Sequence, residues 1–87
     1  MNKVSEHHNA AAGRIVGEII KGTIDAGGSP SDIMVLLESV AAGVMTTMVT
    51  EENDANVIDL FARNLPIRFK ELRDRQRLRA AEPKGSA

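Results

Sequence analysis

The residues with the clearest chemical potential form a cationic cluster towards the C-terminal end of this 87-residue chain. Guanidinium and ammonium groups bind phosphates and carboxylates, so the cluster could contact a nucleic acid or an acidic protein surface. On a helix the same side chains would spread around much of the circumference rather than form one stripe. The cluster consists of Arg68, Lys70, Arg73, Arg75, Arg77 and Arg79.

The cationic cluster has two further interpretations that involve no foreign ligand. It could be a solvated helix end, with Glu71 paired to Arg75 and Asp74 paired to Arg77 on the same helix. Alternatively, the arginines could meet an acidic run in a neighbouring subunit. That run contains Glu51, Glu52 and Asp54.

The charge is divided unevenly along the chain, although the net charge is only -1. Residues 1–61 hold three basic and nine acidic side chains, whereas residues 62–87 hold eight basic and three acidic ones. Such a division favours a partner of complementary charge, which a second copy of the chain would itself provide.

Catalytic and metal-binding patterns are missing from the sequence. There is no cysteine, and the two histidines, His7 and His8, are adjacent and cannot assemble a specific metal site by themselves. No nucleophile stands near a base, and the segment 27–30 lacks the strand and the lysine of a phosphate-binding loop. We therefore expect no enzyme, no cofactor and no metal.

The composition also limits how a nucleic acid could be bound. Phe61 and Phe69 are the only aromatic residues, too few for a base-stacking surface. A helix–turn–helix reader is disfavoured, because the second predicted helix offers base edges almost no polar side chains. Any contact with DNA or RNA would come from the cationic cluster.

Apolar spacing and capping signals predict the first two helices. Isoleucines and valines recur every three or four residues over 9–26, and Gly27 and Gly28 follow as a helix terminator. Ser29, Pro30 and Asp32 then have the types expected at a helix N-cap, first position and first turn. The second helix is predicted over 30–49.

The C-terminal third predicts two more helices, over 54–63 and 66–79, because Pro66 removes a backbone hydrogen bond and disfavours a continuous helix. We favour a break near Asn64, with one helix kinked at Pro66 as the alternative. Residues 1–8 and 80–87 have the composition of flexible ends, so residues 9–79 are interpreted as a single helical domain.

These elements predict an all-α fold, a small bundle of three to four helices with the second helix at its centre. That helix is apolar around most of its circumference and must be covered on several sides, either within the chain or in a dimer. Val40, Val44 and Met48 are expected to be buried there. Glu38 lies inside its longest apolar stretch, so we expect no membrane partner.

Glycines on the first helix offer a way for another helix to approach closely. Gly13 and Gly17 are four residues apart and share a face, and Gly43 on the second helix could lie opposite them. The alternative is that these are tolerated, exposed glycines.

Together these features predict a cytoplasmic, self-associating interaction module, most simply a homodimer. The alternative is a nucleic-acid-binding regulator that uses the cationic cluster.

Overall fold

The computed structural model describes residues 2–81, which are almost entirely helical and contain no strand. Helix α1 spans Lys3–Asp25, α2 spans Pro30–Met48 and α3 spans Asp54–Ala81, with a single 3₁₀ turn at Glu51–Asn53 before α3. The all-α prediction is confirmed, with three helices in the described part of the chain.

Helix α1 begins six residues before its predicted start at residue 9. Asn2 has an extended backbone, and its side-chain oxygen accepts a 2.8 Å hydrogen bond from the backbone N–H of Ser5. This N-cap satisfies a donor that would otherwise lack a partner, and the helix continues through His7 and His8. The helix boundary predicted from the polar composition of residues 3–8 was wrong.

The turn between α1 and α2 is a Schellman motif built on two glycines. Gly27, at φ 86°, donates to the carbonyl of Ile24 at 2.9 Å, and Gly28 donates to the carbonyl of Thr23 at 2.8 Å. A Cβ atom on Gly28 would lie 2.6 Å from Cγ2 of Thr23 and 3.0 Å from its carbonyl oxygen. Both positions therefore require glycine, one for its φ angle and one for space.

Helix α2 starts at Pro30 as predicted, behind a complete capping box. The backbone N–H of Ser29 donates to Oδ2 of Asp32 at 2.7 Å, and Ser29 Oγ lies 3.4 Å from the backbone nitrogen of Asp32. The hydrogen bond from the Ser29 backbone, together with one from its hydroxyl, lowers the pKa of Asp32. Aspartate thus fills the role more often taken by glutamate.

Helix α3 runs without interruption through Pro66 to Ala81. The favoured break near Asn64 was wrong. The alternative of one helix kinked at Pro66 is confirmed in that a single helix passes through Pro66. Proline removes a single backbone donor, whereas long flanking segments on both sides keep their own hydrogen bonds, so helix formation is maintained cooperatively. The predicted tail at 82–87 lies outside the described residues.

The chain divides into two units, Met1–Thr47 and Met48–Ala87. The first contains α1 and all but the last residue of α2, and the second contains the 3₁₀ turn and α3. Within the first unit, α1 and α2 do not pack along their lengths. The single-domain organisation predicted for residues 9–79 stays a prediction.

No side chain in the described part of the chain is buried. Val40 is 40% exposed and Val44 is 54% exposed in the single chain, so their predicted burial stays a prediction that depends on a second copy. Met48 is also exposed. The large apolar side chains of α2 are thus exposed in the described part of the chain, and the predicted bundle with α2 at its centre stays a prediction.

A pair of glycine variants tests the turn. Gly27→Ala should destabilise the α1–α2 unit by about 1–2 kcal/mol, because a left-handed φ angle strains any residue with a Cβ atom. Gly22→Ala is the control: it lies inside α1, its Cβ would meet nothing within 4 Å, and it should stabilise the helix by up to about 1 kcal/mol. Thermal melting followed by circular dichroism measures both, and equal melting temperatures would contradict the assigned turn.

Candidate interaction surfaces

Three of the six cations of the cluster pair on α3 itself with two carboxylates, Glu71 and Asp74. Arg68 Nη1 lies 3.2 Å from Oε1 of Glu71, and Lys70 Nζ lies 2.8 Å from Oδ2 of Asp74. Arg77 Nη1 lies 2.9 Å from the other oxygen of Asp74. These pairs are well exposed to solvent, so each contributes little to stability, but they reduce the charge that the cluster offers to a ligand.

The remaining cations of the cluster have no carboxylate partner among the described residues. Arg73 donates to Oε1 of Gln76 at 2.8 Å, and neither Arg75 nor Arg79 forms an ion pair. The predicted bond between Glu71 and Arg75 was wrong, since that carboxylate turns to the preceding turn of the helix, whereas the predicted pair of Asp74 and Arg77 is confirmed. Arg75 and Arg79 are therefore the members best placed to bind something else.

Asp74 is the electrostatic centre of the cluster. A hydrogen bond and charge attraction from Lys70, followed by the weaker influence of Arg77, lower the pKa of this carboxyl group. The same contact raises the pKa of the Lys70 ammonium group. Both groups thus stay charged over a wider pH range than free side chains do.

An apolar seam on α3 was only partly recognised from the sequence. Its members share one side of the helix, and all are 42–59% exposed. The predicted break near Asn64 divided them between two helices, which concealed that they form a single face. A plain count of three- and four-residue intervals across Pro66 would have found the seam, which comprises Ile58, Phe61, Leu65, Phe69 and Leu72.

Helix α2 presents a second apolar face, centred on Val44. At about 100° per residue its members fall within roughly 80° of one another. On the same helix, Thr46 and Thr47 each donate a 2.8 Å hydrogen bond to a backbone carbonyl, of Ala42 and Gly43 respectively. Their hydroxyls could therefore enter an apolar contact without losing a partner. The face comprises Ile33, Leu37, Val40, Val44 and Met48.

The glycine positions are open. A Cβ atom at Gly13, Gly17 or Gly43 would meet nothing within 4 Å in the described part of the chain. Within the first unit, Gly43 therefore does not lie against Gly13 and Gly17. Close approach by a helix of a second copy stays a prediction.

An open groove of about 580 Å³ lies at the α1–α2 turn. Its carboxylates are Glu18 and Asp32, and the second already accepts the capping hydrogen bonds. Among the described residues, no group of three or more histidine or acidic side chains could hold a metal ion. The groove offers neither a nucleophile with a base nor a set of metal ligands.

By length and composition alone, α2 could cross a membrane, although Glu38 lies in its middle. A core helix of a soluble assembly has the same properties.

Titration of Asp74 tests the assigned ion pairs. Asp74 has a lowered pKa in the folded chain, so its ionised carboxylate stabilises the folded state fully above the ordinary pKa of 3.8. This stabilisation is lost as the pH falls through the pKa that the group has in the folded state. NMR titration should therefore give Asp74 a pKa below 3.8. Lys70→Met should raise this pKa part of the way back, since Arg77 remains, whereas Lys70→Arg should keep it low. An unchanged pKa in Lys70→Met would contradict the assignment.

Comparison of the chain with protein families, with curated proteins and with solved structures found no match to any of them, so its function has to be argued from its own residues.

Proposed function

We propose that this chain is a small helical interaction module that self-associates as a homodimer, with a hydrophobic core shared between the two copies. The observation that carries the proposal is the exposure of its apolar side chains. Twenty large hydrophobic residues are 38–77% exposed, and none in the described part of the chain is buried. The proposal includes a cytoplasmic location and no catalytic or cofactor-binding role.

The amount of exposed apolar surface is sufficient for a stable interface. Burying one aliphatic side chain contributes about 1.5–3 kcal/mol, which corresponds to about 100 Å² of apolar surface. Twenty such side chains, each about half exposed, leave on the order of 1,000 Å² per chain in contact with water. A standard protein interface buries about 800 Å² per partner.

A second copy is the partner that the charges favour. The chain carries an acidic part and a basic part of nearly equal magnitude, so a foreign partner would need the same division of charge in reverse. Two copies paired in antiparallel orientation about a two-fold axis meet this condition. Oligomerisation is also a common way for a chain of this size to gain stability without disulfides or metals.

The Val44 face of α2 is the part of the first unit best suited to the shared core. Val35 lies nine residues earlier, about two and a half turns away and therefore on the opposite side of the helix. Its side carries the polar residues Ser39 and Thr46 and the carboxylate of Asp32. The two valines are similarly exposed, at 54% for Val44 and 60% for Val35, so they form a matched pair.

Sedimentation equilibrium with the two valine variants tests the proposal. Wild type should be a dimer at micromolar concentration. Val44→Asp should weaken association by about 100-fold or more, because an unpaired charge buried in an interface costs several kcal/mol. Val35→Asp should remain a dimer, since its aspartate stays in water.

Three results would contradict this prediction. A wild-type monomer with cooperative unfolding would show that the chain does not need a second copy. Equal effects of the two variants would show that the Val44 face is not selectively covered. Binding of wild type to lipid vesicles through α2 would contradict the expected absence of a membrane partner.

We infer a second candidate function, nucleic-acid binding through the cationic cluster. The observation that favours it is the absence of carboxylate partners for Arg75 and Arg79 in the described part of the chain. Phosphate contacts release counterions, so affinity should fall linearly with salt on a logarithmic scale, with a slope of about 0.9 per contact on duplex DNA.

Titration with duplex DNA and with RNA tests this second function. If it is correct, the double variant Arg75→Gln/Arg79→Gln should lower the salt slope by about two contacts. Arg77→Gln should change it less, because Arg77 is already paired with Asp74. The absence of salt-sensitive binding at low ionic strength would dismiss the nucleic-acid function.

A further inference from the structure

The apolar seam of α3 is symmetrical about its central residue. Phe61 and Phe69 stand four residues before and after Leu65, and Ile58 and Leu72 stand seven residues before and after it. The pairs match in type as well as in spacing: two phenylalanines and two branched aliphatic residues of equal size. The seam therefore has nearly the same sequence in both directions along the helix.

The seam is one continuous strip on an uninterrupted helix. At about 100° per residue its five members fall within an arc of roughly 80°. Each of them is exposed, with Leu65 the least exposed at 42%. Pro66 lies about 100° away from Leu65 around the helix, so its ring does not interrupt the strip.

A strip with this symmetry suits pairing with an antiparallel copy of itself. In a two-fold interface each residue meets its counterpart, and a residue n positions before the axis meets the residue n positions after it. With the axis at Leu65, Leu65 meets itself and Phe61 meets Phe69 of the second copy. Ile58 then meets Leu72, so apolar residues meet apolar residues along the whole strip.

The charges beyond both ends of the seam fit the same arrangement. Glu51 and Arg79 each stand fourteen residues from Leu65, on opposite sides. Asp54 and Arg75 stand eleven and ten residues from it. Antiparallel pairing therefore brings Arg75 and Arg79, which lack carboxylate partners among the described residues, next to the acidic start of the other copy.

A parallel arrangement of the same two helices would be opposed by these charges. It would place Arg75 and Arg79 beside their own counterparts and the acidic ends beside each other. Like charges at close range are repulsive, whereas the antiparallel arrangement converts each of these contacts into an attraction.

We propose that α3 pairs in antiparallel orientation with α3 of a second copy, about a two-fold axis at Leu65. The proposal rests on the self-association proposed above and specifies the surface and the orientation. Seam residues form the apolar centre of the interface, and Arg75 and Arg79 contact the acidic residues Glu51 and Asp54 at its two ends.

Single cysteines provide a direct test, because the natural chain has none. Ile58→Cys and Leu72→Cys chains carry tags of different size and are mixed so that subunits exchange between dimers. The mixture is then treated with a short bismaleimide, which crosslinks cysteines that lie close together. Antiparallel pairing predicts a crosslink between the two different chains and little crosslinking of either variant alone. The two copies of residue 58 would be about 21 Å apart along the helix axis, beyond the reach of the reagent. A Leu65→Cys chain should crosslink to itself.

The outcomes separate this proposal from the more general one. A dimer by sedimentation equilibrium in which Ile58→Cys and Leu72→Cys each crosslink only to themselves would overturn the antiparallel pairing. A dimer in which no seam cysteine crosslinks would also overturn it, and self-association would stand in both cases. A monomer at micromolar concentration, including one that binds duplex DNA or lipid vesicles, would overturn both proposals.

A charge exchange tests the ends of the interface. Arg79→Glu should weaken dimerisation by about tenfold, since two symmetrical attractions become repulsions. The double variant Glu51→Arg/Arg79→Glu should recover affinity close to that of wild type, because both contacts are restored with reversed sign. Arg77→Glu is the control, since Arg77 contacts Asp74 on the opposite side of α3 and should leave dimerisation nearly unchanged. Failure of the double variant to recover affinity would overturn the assigned contacts.

Discussion

In this molecule the backbone hydrogen bonds are formed within each helix, whereas the apolar side chains remain exposed to water. Each helix satisfies its own backbone hydrogen bonds, and its ends are closed by local contacts such as Asn2 with Ser5 and Ser29 with Asp32. None of these bonds removes apolar side chains from water. Helices in proteins obtain most of their stability from packing, and no residue in the described part of the chain is buried. The self-association proposed for α2 and α3 would supply that packing.

The charged side chains of α3 fall into two groups: those that form ion pairs within the helix and those that do not. Neighbours three or four residues apart pair with one another, as Lys70 and Arg77 do with Asp74, and these pairs reduce the charge that is left for a partner. Among the described residues, Arg75 and Arg79 have no such neighbour of opposite sign in contact, and they lie beyond the apolar seam, towards the C-terminal end of α3. A net charge near zero therefore conceals a helix that is acidic at its start, apolar in its middle and basic at its end.

Pro66 shows how a local signal can mislead. Its intrinsic cost of about 3 kcal/mol in a helix interior predicts a break. The long helical segments on either side nevertheless continue through it, and this continuity brings Ile58 and Leu72 onto one face. Had the helix ended near Asn64, the symmetry about Leu65 would have no structural meaning.

The sequence by itself determined the features that depend on neighbours within one or two turns. These include the helical class, the glycine turn after α1, the start of α2 at Pro30 and the start of α3 at Asp54. Each depends on a helix cap, on a glycine φ angle or on apolar residues spaced three or four apart, all of which involve residues that are close in sequence. Two local predictions were nevertheless wrong. The polar residues 1–8 were interpreted as a flexible end although α1 begins at Lys3, and Glu71 was paired with Arg75 although it contacts Arg68.

Only the tertiary structure decided the properties that depend on distant or missing neighbours. Val40 and Val44 are apolar by sequence, but their exposure depends on whether another element lies against them, and in the described part of the chain both are exposed. The open space at Gly13 and Gly17 has the same origin. Burial is a non-local property, so a pattern along one helix indicates which face needs a partner but does not say whether the chain provides it.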